Sequence, residues 1–273
     1  MKQYLPNTKM PKVSIVIVNF NTKNLVEDCV ESINNSKPKT EYEIIVVDNS
    51  TLENQKVKSN NPKVLIIDND ENLGFAKANN IGIKKASGEY VLLLNSDTLV
   101  RKNAIDKLVE FAENTPEAGV VGAKLLNKDG SVQGSVYKDP TLTRTIRQYW
   151  LGKKGLLEKH APNSKKAVPV ENTVMAAFLI TPKAIKEVGL LNEKYFMYFE
   201  DLDYCRRVRK ARLKVYYLPE AEVVHLHGRS GKKLTDDNNQ WRRLIPSSII
   251  YHGLIKHYLI YIVMWAGQKL RNV

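Results

Sequence analysis

The stretch VSIVIVNFNTKNLVEDCVESI, residues 13–33, decides the fold. Val13 to Val18 is a continuous, mostly β-branched apolar run that stops at polar Asn19 and Asn21, as a strand buried on both faces does. Directly after it Leu25, Val26, Cys29, Val30 and Ile33 recur at helical spacing, with Asn21 or Thr22 as N-cap. A doubly buried strand followed at once by a helix is the repeating unit of a parallel sheet with helices on each side.

The same alternation continues along the chain. Ile44 to Val47 reads as a second buried strand ending on Asp48, and Val64 to Ile67 as a third, before the turn-rich DNDEN of 68–72. A helix is expected from about Phe75 to Ala86, closed by Ser87-Gly88. Tyr90 to Leu94 is then the most apolar strand, ending in Asn95-Ser96-Asp97. In such sheets ligands bind beyond the carboxyl ends of the strands. Here those ends carry Asn19, Asn21, Asp48, Asn69, Asn95 and Asp97, a polar rim suited to a nucleotide.

The second half is less regular. Residues 127–168, rich in Gly, Lys, Ser, Thr and Pro, read as a long, partly mobile excursion over the active face. Val174 to Ile180 is another strand, and Thr181-Pro182 opens a helix. A further helix runs from near Glu200 to about Ala211, followed by short strands at Leu213 to Leu218 and Val223 to Leu226.

A chain of 273 residues with 43% hydrophobic residues can bury a sizeable core. Its net charge of +13 favours anionic partners: nucleotides, nucleic acid or acidic lipid. Cys29 and Cys205 form no CxxC pair, so neither a disulfide framework nor a thiolate metal site is expected, and a reducing compartment is the default. The N-terminal MKQYLPNTKMPK lacks a signal-peptide apolar run, and no uninterrupted stretch approaches the roughly 20 apolar residues of a spanning helix. A cytoplasmic location, with peripheral contact to the inner face of the cell membrane as an option, follows as the expectation.

Three groups of residues carry chemistry, and each has a plainer reading. Asp97 can cap the helix that starts near Lys102. Glu200, Asp201 and Asp203 can be first-turn carboxylates favoured by the helix dipole. His225 can be a strand residue satisfied by a backbone carbonyl. Together they suit one reaction. A departing diphosphate needs Mg2+ or Mn2+, held by carboxylate oxygen and an imidazole, and an attacking hydroxyl needs a carboxylate base.

The order of motifs, SIVIVNFN (14–21), EIIVVDNS (43–50), NLGFAKANNIGI (72–83), EYVLLLNSDT (89–98), YFMYFEDLDYCRR (195–207) and VVHLHGRS (223–230), resembles the family 2 glycosyltransferases, and within them the rhamnosyltransferase-like members. The resemblance implies an α/β protein with the GT-A fold, a Rossmann-like, mostly parallel sheet flanked by helices, and a C-terminal helical extension. It implies a glycosyltransferase domain over 1–240, with a nucleotide-binding half (1–100) and an acceptor and catalytic half (101–240), and a basic amphipathic tail over 241–273.

The resemblance also implies roles. Asn19 and Asp48 would hold the base and ribose of the donor. Asn21, Gly74, Asn79, Asn80, Asn95 and Ser96 belong to the expected nucleotide-contacting set. Asp97, last in the DxD-like motif, would bind Mg2+ or Mn2+, with His225 or His227 beside it. The two histidines are two apart and share a strand face, so spacing does not choose between them. Asp201 matches the base, with Glu200 and Asp203 in support. The donor would be a nucleotide-diphosphate sugar, dTDP- or UDP-linked, with a lean toward dTDP-rhamnose. The acceptor would be a glycan or a lipid-linked hydroxyl.

Two departures stand out. Asn95 replaces a carboxylate in the DxD-like motif, which leaves the ion to Asp97, a histidine and the donor phosphates. Arg212 stands where relatives often carry Gly, and a positive φ there would strain it by about 1 kcal/mol.

The tail from Trp241 repeats apolar residues at helical spacing among basic ones. Two uses remain open: a membrane interface, or packing on the catalytic domain or a second copy as a homo-oligomer. Two rival functions are weaker. A sugar-nucleotide nucleotidyltransferase needs a Gly-rich basic loop after the first strand, which VNFNTKN lacks. A nucleic-acid-binding module is disfavoured because the basic residues are dispersed, so no nucleic-acid partner is expected.

Overall fold

The computed structural model describes residues 11–69, 71–226 and 240–271. In chain order the first half comprises β1 (Val13–Asn19), α1 (Lys23–Ser36), β2 (Tyr42–Asp48), β3 (Val64–Asp68), α2 (Phe75–Lys85), β4 (Tyr90–Asn95), β5 (Thr98–Val100), α3 (Ala104–Glu113) and β6 (Ala118–Leu126). Then come β7 (Val132–Gln133), β8 (Val136–Tyr137), α4 (Leu142–Tyr149), β9 (Val168–Val170), β10 (Asn172–Thr173) and β11 (Ala177–Ile180). The remainder is α5 (Pro182–Val188), α6 (Glu200–Lys210), β12 (Lys214–His225), α7 (Gln240–His252) and α8 (Leu254–Arg271).

The main sheet runs β3-β2-β1-β4-β11-β6-β12-β5. Its first four strands are parallel, as the buried apolar runs require, and β6 pairs parallel with β12. β11 is antiparallel to both of its neighbours, so it joins the parallel nucleotide-side strands to the second half. Both faces are covered. Val13, Ile15 and Ile17 of β1 enter one core with α1 and α3, whereas Val16 enters the other with α2 and α6. Cys29 and Cys205 are free thiols, one in each core.

Several boundaries differ from the sequence expectation. The excursion over 127–168 is built rather than loose. It contains β7, β8 and α4, and Thr141 caps α4 through its side chain. The two expected strands after α6 are one, β12, with its register shifted between Leu218 and Glu222 around Pro219. Arg212 does adopt a left-handed conformation, φ +61°. The tail forms two helices, broken at Gly253 with φ +80° and bent by 119°. Among the described residues no single helix is long and apolar enough to cross a membrane, though the bent pair together reaches that length and composition.

Candidate active site

Sheet register sets the first half of the site. Asn19 lies level with Asp48 on the neighbouring strand, and Asn95 lies level with Val18 on the other side. Asn19 is fully buried. Its side-chain oxygen accepts from the backbone N of Thr22 at 3.0 Å and from the Thr22 hydroxyl at 2.9 Å, holding the N-cap residue of α1 in place. Its amide donates to Asp48 at 3.0 Å and to Ser50 at 2.8 Å. Asp48 in turn accepts from the backbone N of Ser50 (2.9 Å) and of Val57 (2.7 Å). Both residues are thus engaged inside the rim, where they shape the loops that a donor would meet. Asn21, at φ +54°, accepts from the backbone N of Thr51 and Leu52 and pins the loop after β2.

Above this rim opens a cleft bordered by Phe20, Asn49, Asn72, Gly74, Asn95 and Ser96. Phe196 and Met197 supply the facing wall. Gly74 is required where it stands. Its φ is +80°, and a Cβ there would lie 2.6 Å from the carbonyl oxygen of Phe196. The backbone N of Phe75 donates to that same carbonyl at 2.7 Å, docking the start of α2 on the loop before α6. Asn79 donates to Phe75 O within its own helix, and Asn80 binds Leu191 through both ends of its amide. Asn80 therefore holds α2 and the 191–193 turn together. Ser96 accepts from the Thr22 hydroxyl at 3.2 Å, and the side-chain oxygen of Asn95 is buried with no hydrogen-bond partner among the described residues.

Asp97 does not cap α3, whose N-cap is Asn103. It sits fully buried between β4 and β5. The antiparallel pairing of β12 with β5 puts His225 opposite Thr98, and the backbone N of Leu226 donates to Asp97 O at 2.8 Å. The His225 ring consequently meets the Asp97 carboxylate, with Nε2 at 3.4 Å from Oδ1. Gln133 on β7 fixes that ring. Its amide nitrogen donates to Asn127 Oδ1 (2.8 Å) and to His225 O (3.2 Å), so its oxygen faces His225 Nδ1 at 2.7 Å. A carboxamide oxygen only accepts, so Nδ1 donates to it and Nε2 is the ring nitrogen turned toward Asp97. A ring nitrogen and a carboxylate oxygen, both of types that bind divalent cations, face each other across 3.4 Å, and an outer partner that orients a ligating imidazole is usual for metal sites. Among the described residues no third His, Cys, Asp or Glu joins them. The donor set fits Mg2+ or Mn2+ as a partial site needing further oxygens. His227 lies outside the described residues.

The acidic group opens α6. It follows two consecutive left-handed residues, Tyr198 (φ +70°) and Phe199 (φ +68°), a costly backbone held in place by packing. Ser247 of α7 donates to Met197 O at 2.8 Å, and the rings of Tyr251 and His252 pack on Phe199. Glu200 is buried, and one of its oxygens has no hydrogen-bond partner among the described residues. Burial, and then the Asp201 charge, push the Glu200 carboxyl up to about 8. Asp201 is also raised by burial, but a hydrogen bond from Tyr137 and the Lys159 charge oppose the shift. Asp201 is therefore the member of the pair whose surroundings favour its charged form. Asp203 faces elsewhere: it pairs with Arg207 at 2.8 Å and Arg206 at 3.3 Å, and ties α6 to itself. Gln133, Tyr137 and Lys159 all come from the excursion and escaped sequence reasoning, since single polar residues in an aperiodic segment carry no signal.

The profile of Glycosyl transferase family 2 matches residues 14–171, more than half of the chain. The chain belongs to glycosyltransferase family 2. Among curated family 2 relatives, a low-salt glycan biosynthesis hexosyltransferase of Haloferax volcanii, Agl10, is 26% identical over 80% of this chain and 68% of its own length. An N-acetylglucosaminyl-diphospho-decaprenol L-rhamnosyltransferase of Mycobacterium tuberculosis is 28% identical over 67% of this chain and 66% of its own. The chain thus spans about two thirds of the length of these relatives. A crystal structure of GalNAc-T7 with UDP, GalNAc and Mn2+ superposes with TM-score 0.61 at 17% identity, covering 79% of this chain and 43% of that one. This likeness bears on the fold, which is GT-A. The family 2 enzyme described here is a sugar-transferring enzyme.

Proposed function

We propose that this glycosyltransferase is inverting and metal-dependent, and moves a sugar from a nucleotide-diphosphate donor to a hydroxyl of a cell-surface glycan or glycolipid. The observation that carries the reading is the His225–Asp97 pair, with Gln133 holding the imidazole ring so that Nε2 faces the carboxylate. Asp97 and His225 would hold Mg2+ or Mn2+, which when bound neutralises charge on the departing diphosphate. The cleft between the β1, β2 and β4 ends and the Phe196–Met197 wall would take the nucleotide. Asn95 and Ser96, on its border, lead the chain directly to Asp97.

Asp201 would take the proton from the acceptor hydroxyl as that oxygen attacks the anomeric carbon from the side opposite the diphosphate. The bond from anomeric carbon to diphosphate oxygen breaks in the same step, so the configuration inverts. Glu200, protonated at neutral pH, leaves Asp201 as the available base. Asp203 would act as a positioning residue through its arginine pairs. Asn80 would support the cleft wall by holding the 191–193 turn, and Asn79 by its bond to Phe75 O at the start of α2. The rhamnosyltransferase name of the mycobacterial relative supports rhamnose as the transferred sugar.

The test is single-turnover transfer from dTDP-rhamnose and UDP-hexoses, with Mn2+ and with chelator, alongside Asp201→Asn. Metal-dependent transfer by the native enzyme, lost in Asp201→Asn with nucleotide binding kept, supports the reading. Transfer that survives chelation, or an Asp201→Asn enzyme that loses nucleotide binding and keeps residual chemistry, overturns it.

A further inference from the structure

The surface of α8 is inverted relative to an ordinary amphipathic helix. Its inner side rests on α4, so closely that a Cβ on Gly267 would stand 2.7 Å from Tyr149 Cβ, and the Trp150 indole N–H donates to Val263 O at 2.9 Å. Its outer side should then be polar. Instead Ile255, Tyr258, Leu259, Ile262 and Trp265 recur along one helical stripe, each about half exposed or more, with Ile255 at 78%. The neighbouring turn continues the patch: Trp150 and Leu151 are exposed at 49% and 65%, and exposed Lys153 and Lys154 follow at once. Contiguous apolar surface on this scale marks an interaction site.

Its charge selects the partner. From Gln240 to Arg271 there is no Asp or Glu, whereas Arg242, Arg243, Lys256, Lys269 and Arg271 are basic. Exposed Lys256 and Lys269 bracket the apolar stripe, and Lys269 stacks on Trp265. A second copy of α8 laid antiparallel on the first would bring Lys256 of one near Lys269 of the other, with no carboxylate to neutralise them. A parallel pairing would set each lysine against its equal. An anionic bilayer offers both things the face lacks: hydrocarbon for the isoleucines and phosphate for the lysines, with Tyr and Trp at the headgroup level. We infer that α8 and the Trp150–Leu151 turn form a docking face for an anionic lipid bilayer, on which α8 lies in the interface plane. The face also reaches the catalytic end of α6, because α7, joined to α8 through Gly253, packs on Phe199 and bonds Met197. This inference stands on the surface alone and does not depend on the donor or the metal.

The experiment is co-sedimentation of the full chain with vesicles of phosphatidylcholine alone and of equimolar phosphatidylcholine and phosphatidylglycerol. Native protein is compared with the doubly substituted Ile255→Glu/Ile262→Glu variant, and oligomeric state is read by light scattering. Both positions are exposed, so a thermal melt and nucleotide binding should match the native protein and report folding independently. The expected result is binding to the phosphatidylglycerol vesicles, weakened by salt, with partitioning reduced at least about tenfold in the variant. Failure of native protein to bind either vesicle, or equal binding by the variant, overturns the inference. A dimer that the two substitutions dissociate, without vesicle binding, assigns the face to a second copy and overturns it as well.

Discussion

His225 Nε2 faces Asp97 Oδ1 across 3.4 Å while Gln133 receives the proton on the opposite ring nitrogen. The relationship depends on one pairing far apart in sequence, β12 with β5, and on the local β6–β7 hairpin that carries Gln133. Gln133→Ala frees the ring to rotate without removing a ligand. It should weaken Mn2+ affinity of the nucleotide complex about 10- to 100-fold, with transfer recovering at high Mn2+. Titration of transfer rate against Mn2+ checks this; an unchanged midpoint would remove Gln133 from the site.

Glu200 and Asp201 should respond differently to amide substitution. Asp201→Asn should lower transfer by about 100- to 10,000-fold at every pH. Glu200→Gln replaces a group that is already protonated at neutral pH, and should leave the rate there within a few-fold. The sign of the stability effect follows from the raised carboxyl. Between its ordinary value of 4.5 and about 8, folded Glu200 binds more proton than the unfolded chain does, so its contribution falls as pH rises through that window. Glu200→Gln should therefore stabilise the protein more at pH 9 than at pH 5. Melting temperatures at both pH values measure it.

Gly74→Ala places a methyl 2.6 Å from Phe196 O at a backbone angle that suits only glycine. The loop before α6 must shift, and with it the cleft wall. The expected outcome is a stability loss of about 1–3 kcal/mol and a raised KM for donor, read by denaturation and steady-state kinetics.

Arg212→Gly should stabilise. Arg212 is exposed at φ +61°, so the substitution relieves backbone strain and removes little packing. After the extra entropy of glycine in the unfolded chain, a net gain of about 0.5–1 kcal/mol remains, or about 2 °C in Tm.

Legibility tracked the source of each element's order. β1, β2 and β4 were plain in the sequence because strands buried on both faces must be continuously apolar. The excursion was not, because α4 gains its order from α8 and from the Arg144–Glu171 pair rather than from its own pattern. Pro219 and Glu220 divided β12 into two on paper, whereas a register shift absorbs them in the sheet. Gly253 was passed over as one residue in a long helical pattern, and it is where the tail turns. In the site, Asp97 and His225 stood out as a carboxylate and an imidazole ending strands. The polar rim did not disclose which members face inward, and Asn19 and Asp48 turn out to be bonded to each other. Side-chain direction at a strand end depends on the loop that follows, which no spacing rule encodes.

The central claim is that Asp97 and His225 form half of a metal site that the donor diphosphate completes. Thermal shift with Mn2+, nucleotide diphosphates and sugar nucleotides, separately and combined, tests it most directly. The account predicts little shift with Mn2+ alone, a clear shift with one nucleotide class plus Mn2+, and loss of the metal-dependent part in Asp97→Asn. A nucleotide shift indifferent to Mn2+ and unchanged in Asp97→Asn would contradict it.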